Sequence, residues 1–345
     1  MNTFLKRNTI LLKGSVFLSR SLVLSLFLSL SLSFFFFSCS SEQRITVLKL
    51  GHGLDPSYSV HKAMEFMAER VGEKSAGRMR IDIYPSEQLG SERECLELLQ
   101  IGSLDMTKVS CSVLEGFVPA LSVLSLPYIF RDEEHRFKVL EGEVGKRLLL
   151  EGEKYWLRGL CYFDAGTRSF YSKEKPILNP GDLEGLKIRT QESPTSIGMV
   201  QAMGGSPTPI AWGELYSALQ QGVVDGAENN PPSFFLSRHY EVCKFYSLDE
   251  HTGVPDVLLI STKSWQKFSD EEKKILQEAV EECAQLQKTL WKDATRLALE
   301  GIREAGVEIF YPDKTEFMEK VQSLYDNYKF LPEIDSIIQQ IKSIK

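Results

Sequence analysis

The chain has 345 residues, with 40 Lys and Arg against 47 Asp and Glu and a formal net charge of −7. An acidic balance speaks against nucleic acid as a partner, because a phosphate backbone demands basic surface. Cys39 and the scattered Cys95, Cys111, Cys161, Cys243 and Cys283 form no CxxC pair, so neither a disulfide framework nor a zinc site is expected.

The first 38 residues differ from the rest. Lys6, Arg7, Lys13 and Arg20 make a positive leader without an acidic residue, and residues 21–37 are almost wholly Leu, Phe, Ser and Val. A basic segment, an apolar core and a small residue before a break describe an export signal. The break falls at Ser38-Cys39, before the polar tether Ser40-Ser41-Glu42-Gln43. It resembles a lipoprotein signal cut before Cys39 and acylated there, although Phe36 and Phe37 replace the smaller aliphatic residues usual at those places. A plain cleaved signal and an uncleaved anchor are the alternatives. The remaining 307 residues carry −11 and exceed what one core usually serves, which suggests two domains. The expected product is exported and periplasmic, monomeric, and attached to a membrane only by lipid at Cys39.

In chain order, residues 45–50 read as a strand, Gly51-His52-Gly53 as a loop and 57–74 as an amphipathic helix. Arg80–Tyr84 alternates as a strand, Arg93–Ile101 reads as a helix and Asp105–Ser110 as a buried strand. A charged helix follows around 132–151. The α/β alternation predicts a largely parallel sheet with helices on both faces and ligands at the carboxyl ends of its strands. Ser193-Pro194 starts a helix that Gly204-Gly205 ends. Trp212–Gln221 reads as a helix stopped by Gly222, and Val223–Gly226 as a short strand. The capping box Ser269–Glu272 opens a helical pattern running to about Ala305, long enough to bridge two domains.

Two arginines stand out. Arg168 opens the alternating stretch Arg168–Ser172 and Arg189 closes Leu186–Arg189, with the turn signal Asn179-Pro180-Gly181-Asp182 between them. Two strands joined by such a connection can bring both guanidinium forks to one rim of a sheet, where they match a carboxylate. Taken by spacing alone, such a pair is more often structural, each arginine serving a local carboxylate.

The ordered set of motifs is more specific. It includes Tyr84-Pro85-Ser86, Gly102-Ser103-Leu104-Asp105, Leu126-Pro127-Tyr128, Gly185–Arg189, Gly205–Pro209, Glu214–Gln220 and Val224–Asn229. The chain resembles the solute-binding proteins of tripartite ATP-independent periplasmic (TRAP) transporters, of the C4-dicarboxylate-binding type, over nearly its whole length after the leader. The resemblance implies an α/β periplasmic binding protein fold with central sheets, a cleft between two domains and a long helix spanning both. Domain I would take 45–165 plus about 254–294, and domain II 166–253 plus about 295–345. It also implies delivery of a small carboxylate to a pair of membrane permease subunits. By the same resemblance Arg189 is the principal carboxylate clamp, Arg168 the second arginine, Asn229 the completing amide and Trp212 an aromatic wall. Sialic-acid binders of the family carry a Glu and an Arg where this chain has Met106–Cys111, which argues against sialic acid. The runs Arg189–Pro194 and Ala227–Pro232 lean toward the hexuronate binders, with Glu192, His52, Ser110 and His251 as secondary contacts. A C4-dicarboxylate is the competing ligand and would want a further cation, a place Lys108 could fill.

The remaining signals point to no catalyst and no cofactor. No histidine pairs at metal-ligand spacing, and His135 and His239 read as surface or local hydrogen-bond residues. Trp265 and Trp291 read as packing residues of the long helix. No base–nucleophile constellation is visible, but an exported sugar-acid enzyme such as a lyase is the alternative of another class, because a scaffold does not fix a function.

Overall fold

The structure, a computed structural model, describes residues 45–345, so the export signal and Cys39 lie outside the described residues. Eleven strands form two sheets among the described residues. In the first sheet the strands are β1 (Thr46–His52), β2 (Met79–Tyr84), β3 (Met106–Ser110), β4 (Leu157–Phe163) and β10 (Asp256–Ser261), ordered β2-β1-β3-β10-β4. The second holds β5 (Arg168–Ser172), β6 (Lys187–Thr190), β7 (Ser206–Pro209), β8 (Gly226–Asn229), β9 (Phe245–Thr252) and β11 (Glu308–Phe310), ordered β11-β9-β5-β8-β6-β7.

Both sheets are covered on both faces. Along β10, Val257 and Leu259 enter one core with Leu96, Leu99 and Val109, while Leu258 and Ile260 enter another with Met64, Met67 and Met106. Successive side chains of a strand point to opposite faces, so a continuous apolar run such as Val257–Ile260 marks a strand buried twice. Phe170 and Tyr171 of β5 divide the same way in the second sheet. The C-terminal helix Pro332–Ser343 sends Ile338 and Ile341 into a core of the first sheet, together with Val139 and Leu148.

The expectation of largely parallel sheets needs correction. Pairs β3/β10, β4/β10, β5/β8 and β5/β9 are antiparallel. The cause is a double crossover: β4 of the first sheet runs directly into β5 of the second, and β9 of the second returns into β10 of the first. Gly51 and His52 belong to β1 rather than to a loop. The helix expected over 132–151 is two helices, Glu133–Glu141 and Glu143–Leu150, separated at an extended Gly142. There the chain packs so closely that a Cβ on Gly142 would lie 2.6 Å from the Lys138 carbonyl oxygen. The strand expected at Val223–Gly226 lies three residues later, at Gly226–Asn229.

The helix Asp270–Glu304 has 35 residues, a length of roughly 52 Å at 1.5 Å per residue. Ser269 caps its start by a capping box. Leu276, Val280 and Cys283 pack into a core of the first sheet and Ile302 into one of the second, so the helix serves both. At its middle the buried Gln287 accepts from the backbone N–H of Asp164 and donates to the Asp164 carbonyl, both at 2.8 Å. Arg136 donates to the Asp164 carboxylate at 2.9 Å and to the Gly166 carbonyl at 3.1 Å. The β4–β5 crossover is therefore held at one point by the long helix and by Arg136.

Gln287→Leu keeps the volume but strips partners from two buried backbone groups of Asp164. Each unpaired buried group costs about 1–3 kcal/mol, so chemical denaturation should show a loss within that range or above it. A change under about 0.5 kcal/mol, the level of an ordinary surface substitution, would show that the crossover needs no such anchor.

Candidate binding site

The arginine-bearing strands β5 and β6 are not adjacent in the sheet. β8 lies between β5 and β6, and Asn179–Asp182 instead caps a short 3-10 turn, Pro180–Leu183. This interposition builds the site. β8 runs parallel to β6 and antiparallel to β5, so the start of β5 and the ends of β6 and β8 meet at one edge of the sheet. Arg168, Arg189 and Asn229 all line one cavity at that edge, enclosing about 750 Å³ of empty space with its mouth included. A cavity at the carboxyl ends of parallel strands is where ligands of such sheets sit.

The two guanidinium groups are not equivalent. Arg168 is spent on the protein: its Nε and Nη2 both donate to the Glu228 carboxylate, the Nη2 bond measuring 2.8 Å. Nη2 also donates to the Glu228 carbonyl at 2.8 Å, and Nη1 to Asn229 Oδ1 at 2.9 Å. Arg189 donates only through Nε, to the Ile210 carbonyl at 2.9 Å, and its buried Nη1 has no partner among the described residues. Burial, and next the charge of Arg168, lower its pKa. A guanidinium stays protonated regardless, so the cavity contains a desolvated cation without a counter-ion.

Behind Arg168 the charges alternate through the sheet. Glu228 reaches His251 Nε2 at 3.4 Å, and His251 Nδ1 reaches Asp249 at 2.8 Å. Burial alone would raise the Glu228 pKa, but Arg168 and His251 outweigh it and bring it to about 2. Burial likewise lowers that of His251, but Asp249 and then Glu228 push it up to about 9. His251 packs under the Phe170 ring, with centroids 4.4 Å apart.

The opposite wall comes from the first sheet. Lys108 in β3 lies 3.2 Å from Glu92 and 3.0 Å from Asp256, and Glu92 also accepts from the Ser110 backbone N–H at 3.1 Å. Burial opposes the charge on Lys108, yet Asp256 and Glu92 hold its pKa above the ordinary value. The capping box of Ser91 makes Glu92 the first residue of the helix Glu92–Ile101 and so sets its carboxylate at the head of β3.

Of the residues singled out from sequence, Arg168, Arg189, Asn229, Trp212, Glu192 and Ser110 line the cavity. His52 and His251 do not: both are buried, His52 against His61 at 3.0 Å and the Leu54 N–H at 3.1 Å. Burial, the charge of Lys108 and His61 lower the His52 pKa to about 3, so it is a neutral framework residue. His135 and His239 are buried rather than superficial. His135 bonds the Ile341 carbonyl at 3.0 Å, and His239 bonds the Tyr171 hydroxyl at 2.8 Å beneath the edge of Trp212. Trp291 of the long helix also lines the cavity, whereas Trp265 carries the Arg158 guanidinium 4.6 Å above its ring. Glu92, Asp256 and Tyr58 escaped sequence reading, and only the capping box at Ser91 gave any signal for one of them. The five described cysteines are free thiols.

A folded-state pKa of about 9 for His251 exceeds its ordinary 6.5. Its stabilisation is complete below pH 6.5 and is lost as the pH rises through about 9. The wild type should lose at most about 3 kcal/mol more across this window than His251→Gln, which cannot titrate. Melting temperatures measured from pH 6 to 10 check this, and a difference between the two proteins that stays constant over that range would refute a charged His251.

Comparison with known proteins agrees with this geometry. The sequence profile of the DctP family, described as bacterial extracellular solute-binding protein, family 7, matches residues 50–330. A solute-binding protein of Chromohalobacter salexigens is 37% identical over 289 residues, covering 83% of this chain and 86% of that protein. The crystal structure of a TRAP periplasmic solute-binding protein from Chromohalobacter salexigens with bound D-glucuronate superposes with a TM-score of 0.84 at 36% identity, covering 86% of this chain and all of the other. One from Xanthobacter autotrophicus with bound β-D-galacturonate gives 0.84 at 35% identity, with 86% of this chain and all of the other covered. Two sheets bridged by a long helix, a cavity with one uncompensated arginine and a match spanning most of the chain lead to one conclusion: the chain belongs to the DctP family of TRAP periplasmic solute-binding proteins.

Proposed function

We propose that the cavity captures a hexuronate, such as D-glucuronate or D-galacturonate, for delivery to the membrane permease of a TRAP transporter. The observation that carries this reading is the buried Arg189 Nη1 without a partner. A carboxylate placed there accepts from the fork in bidentate fashion and neutralises the cation. Arg168 acts differently: already neutralised by Glu228, it fixes the Asn229 carbonyl oxygen and leaves the Asn229 amide nitrogen free to donate. Trp212 offers a flat apolar face to a sugar ring, and Ser110 and Glu192 lie within the lining to meet its hydroxyls. Uronates bound in structures 35–36% identical to this chain support the choice of ligand.

Binding would couple to closure of two lobes, 45–165 with 254–294 and 166–253 with 295–345, about the paired crossovers. Within the second of these ranges the C-terminal helix Pro332–Ser343 packs on the first sheet, and we assign it to the first lobe instead. Contacts between elements of the two sheets would hold the closed form together. Glu87 accepts from the Gly213 N–H at 3.1 Å, and Glu115 accepts from the Ser193 hydroxyl at 2.6 Å and the Thr195 N–H at 2.9 Å.

Uronates should raise the melting temperature, whereas sialic acid and succinate should not. A ligand at ~100 times its Kd adds ~2.7 kcal/mol of stability. In calorimetric titration Arg189→Ala should weaken uronate binding by about 30-fold or more, and Arg189→Lys, which keeps the charge but loses the fork, should weaken it as well. Wild-type affinity in either variant, or stabilisation by succinate alone, would refute the uronate clamp.

We further propose that Cys39 is acylated and tethers the exported protein to a membrane face. The support is the apolar run that ends at this cysteine, ahead of the polar tether. Cys39→Ser should move the protein from the membrane fraction to the soluble periplasmic fraction. A wild-type protein already soluble there would rule out the anchor and leave export untouched.

A further inference from the structure

The two walls of the cavity differ in charge, and the difference suggests how one class of acid is chosen over another. On the second-sheet wall, Arg168 and Glu228 cancel, leaving Arg189 as the buried charge, with the exposed carboxylate of Glu192 also in the lining. On the first-sheet wall, Lys108 faces two carboxylates, Glu92 at 3.2 Å and Asp256 at 3.0 Å, which leaves one negative charge. All three side chains of that cluster line the cavity. Lys108 is therefore not a spare cation for a second carboxylate, the part a dicarboxylate reading would give it.

We propose that the Lys108–Glu92–Asp256 cluster is the specificity filter of this site, accepting the hydroxyl end of a sugar monoacid and rejecting a second carboxylate. The proposal rests on the reading of Arg189 as the carboxylate clamp and adds what the far wall does. Glu92 is already engaged through both oxygens, by Lys108 and the Ser110 N–H. Asp256 Oδ2 accepts from Lys108, while Oδ1 has no donor among the described residues. That oxygen can accept from a sugar hydroxyl and can only repel a carboxylate. The helix start at Glu92 would otherwise attract an anion through its dipole, but Glu92 and Glu94 already occupy its first turn. A like charge pressed against a desolvated carboxylate is strongly disfavoured. An aldaric diacid thus gains at Arg189 and loses at the opposite wall, whereas a monoacid meets hydroxyl acceptors there.

The test is calorimetric titration of wild type, Asp256→Asn and Glu92→Gln with D-galacturonate, D-galactarate and D-galactonate. Galactarate and galactonate share an open chain and differ only in a terminal carboxylate against a hydroxymethyl, so the pair isolates charge from shape. Each substitution leaves Lys108 one carboxylate partner, and two variants guard against one failing to fold, which melting curves would reveal. Wild type should bind galacturonate and discriminate strongly against galactarate. In a folded variant galactarate should gain about tenfold or more in affinity relative to galactonate. An unchanged galactarate-to-galactonate ratio in both folded variants overturns the filter, as does a wild type that takes galactarate as tightly as galacturonate. If wild type binds no galacturonate at all, the uronate reading itself fails and the filter falls with it. The two failures are thus distinguishable.

Discussion

The ion pair between Arg168 and Glu228 is the constraint from which the rest of the site follows. Two guanidinium groups facing one buried cavity would repel each other, and desolvation would penalise both. Glu228, on the strand between them, cancels one and is itself steadied by His251 and Asp249. What remains is a single charge, on Arg189, which matches a single carboxylate. Without Glu228 the cavity would hold two bare cations and would suit a dianion or remain open to water. The sheet order, with β8 set between β5 and β6, is thus an electrostatic device as much as a topological one.

The surrounding framework keeps that balance fixed. His52, bonded to His61, supports the first-sheet wall without adding charge of its own near Lys108, and His239 supports Trp212 from below. Burial, with nearby positive charge, lowers the pKa of both His52 and His239 to about 3. His251, clamped between two carboxylates, is instead held charged in the interior. Histidines here divide into framework and counter-charge according to their neighbours.

Much of the cavity could be read from the sequence, because the residues proposed to hold the ligand lie in contiguous motifs. Arg168, Arg189, Asn229 and Trp212 fell together as expected, and so did the capped long helix. The opposing wall was not legible. Glu92 and Asp256 lie far apart in sequence and acquire meaning only when β3, β10 and the helix start at Glu92 converge on Lys108. Among the strands, Gly226–Asn229 was misplaced because Ala227-Glu228-Asn229 has poor strand propensity, and the neighbours β5 and β6 impose the conformation. β9 hides for a related reason: its Asp249 and His251 are fully buried, against what hydropathy suggests, since they satisfy each other. The single helix expected over 132–151 failed at Gly142, where close backbone contact outweighs a continuous charged pattern.

The position of β10 has a consequence for how the chain is made. This strand sits inside the first sheet, between β3 and β4, yet it is separated from β4 by the whole run of β5 to β9. The first sheet cannot close until residue 261 is available, and the second lacks β11 until residue 310. Neither half of the sequence contains a complete sheet, and Thr46–Lys345 forms a single compact unit. Pairings of such sequence separation are slow to form, so the nascent chain has little reason to fold before nearly all of it has been synthesised. For a protein of a periplasmic family such late closure favours export, because a sheet that lacks an interior strand leaves the chain unfolded for longer.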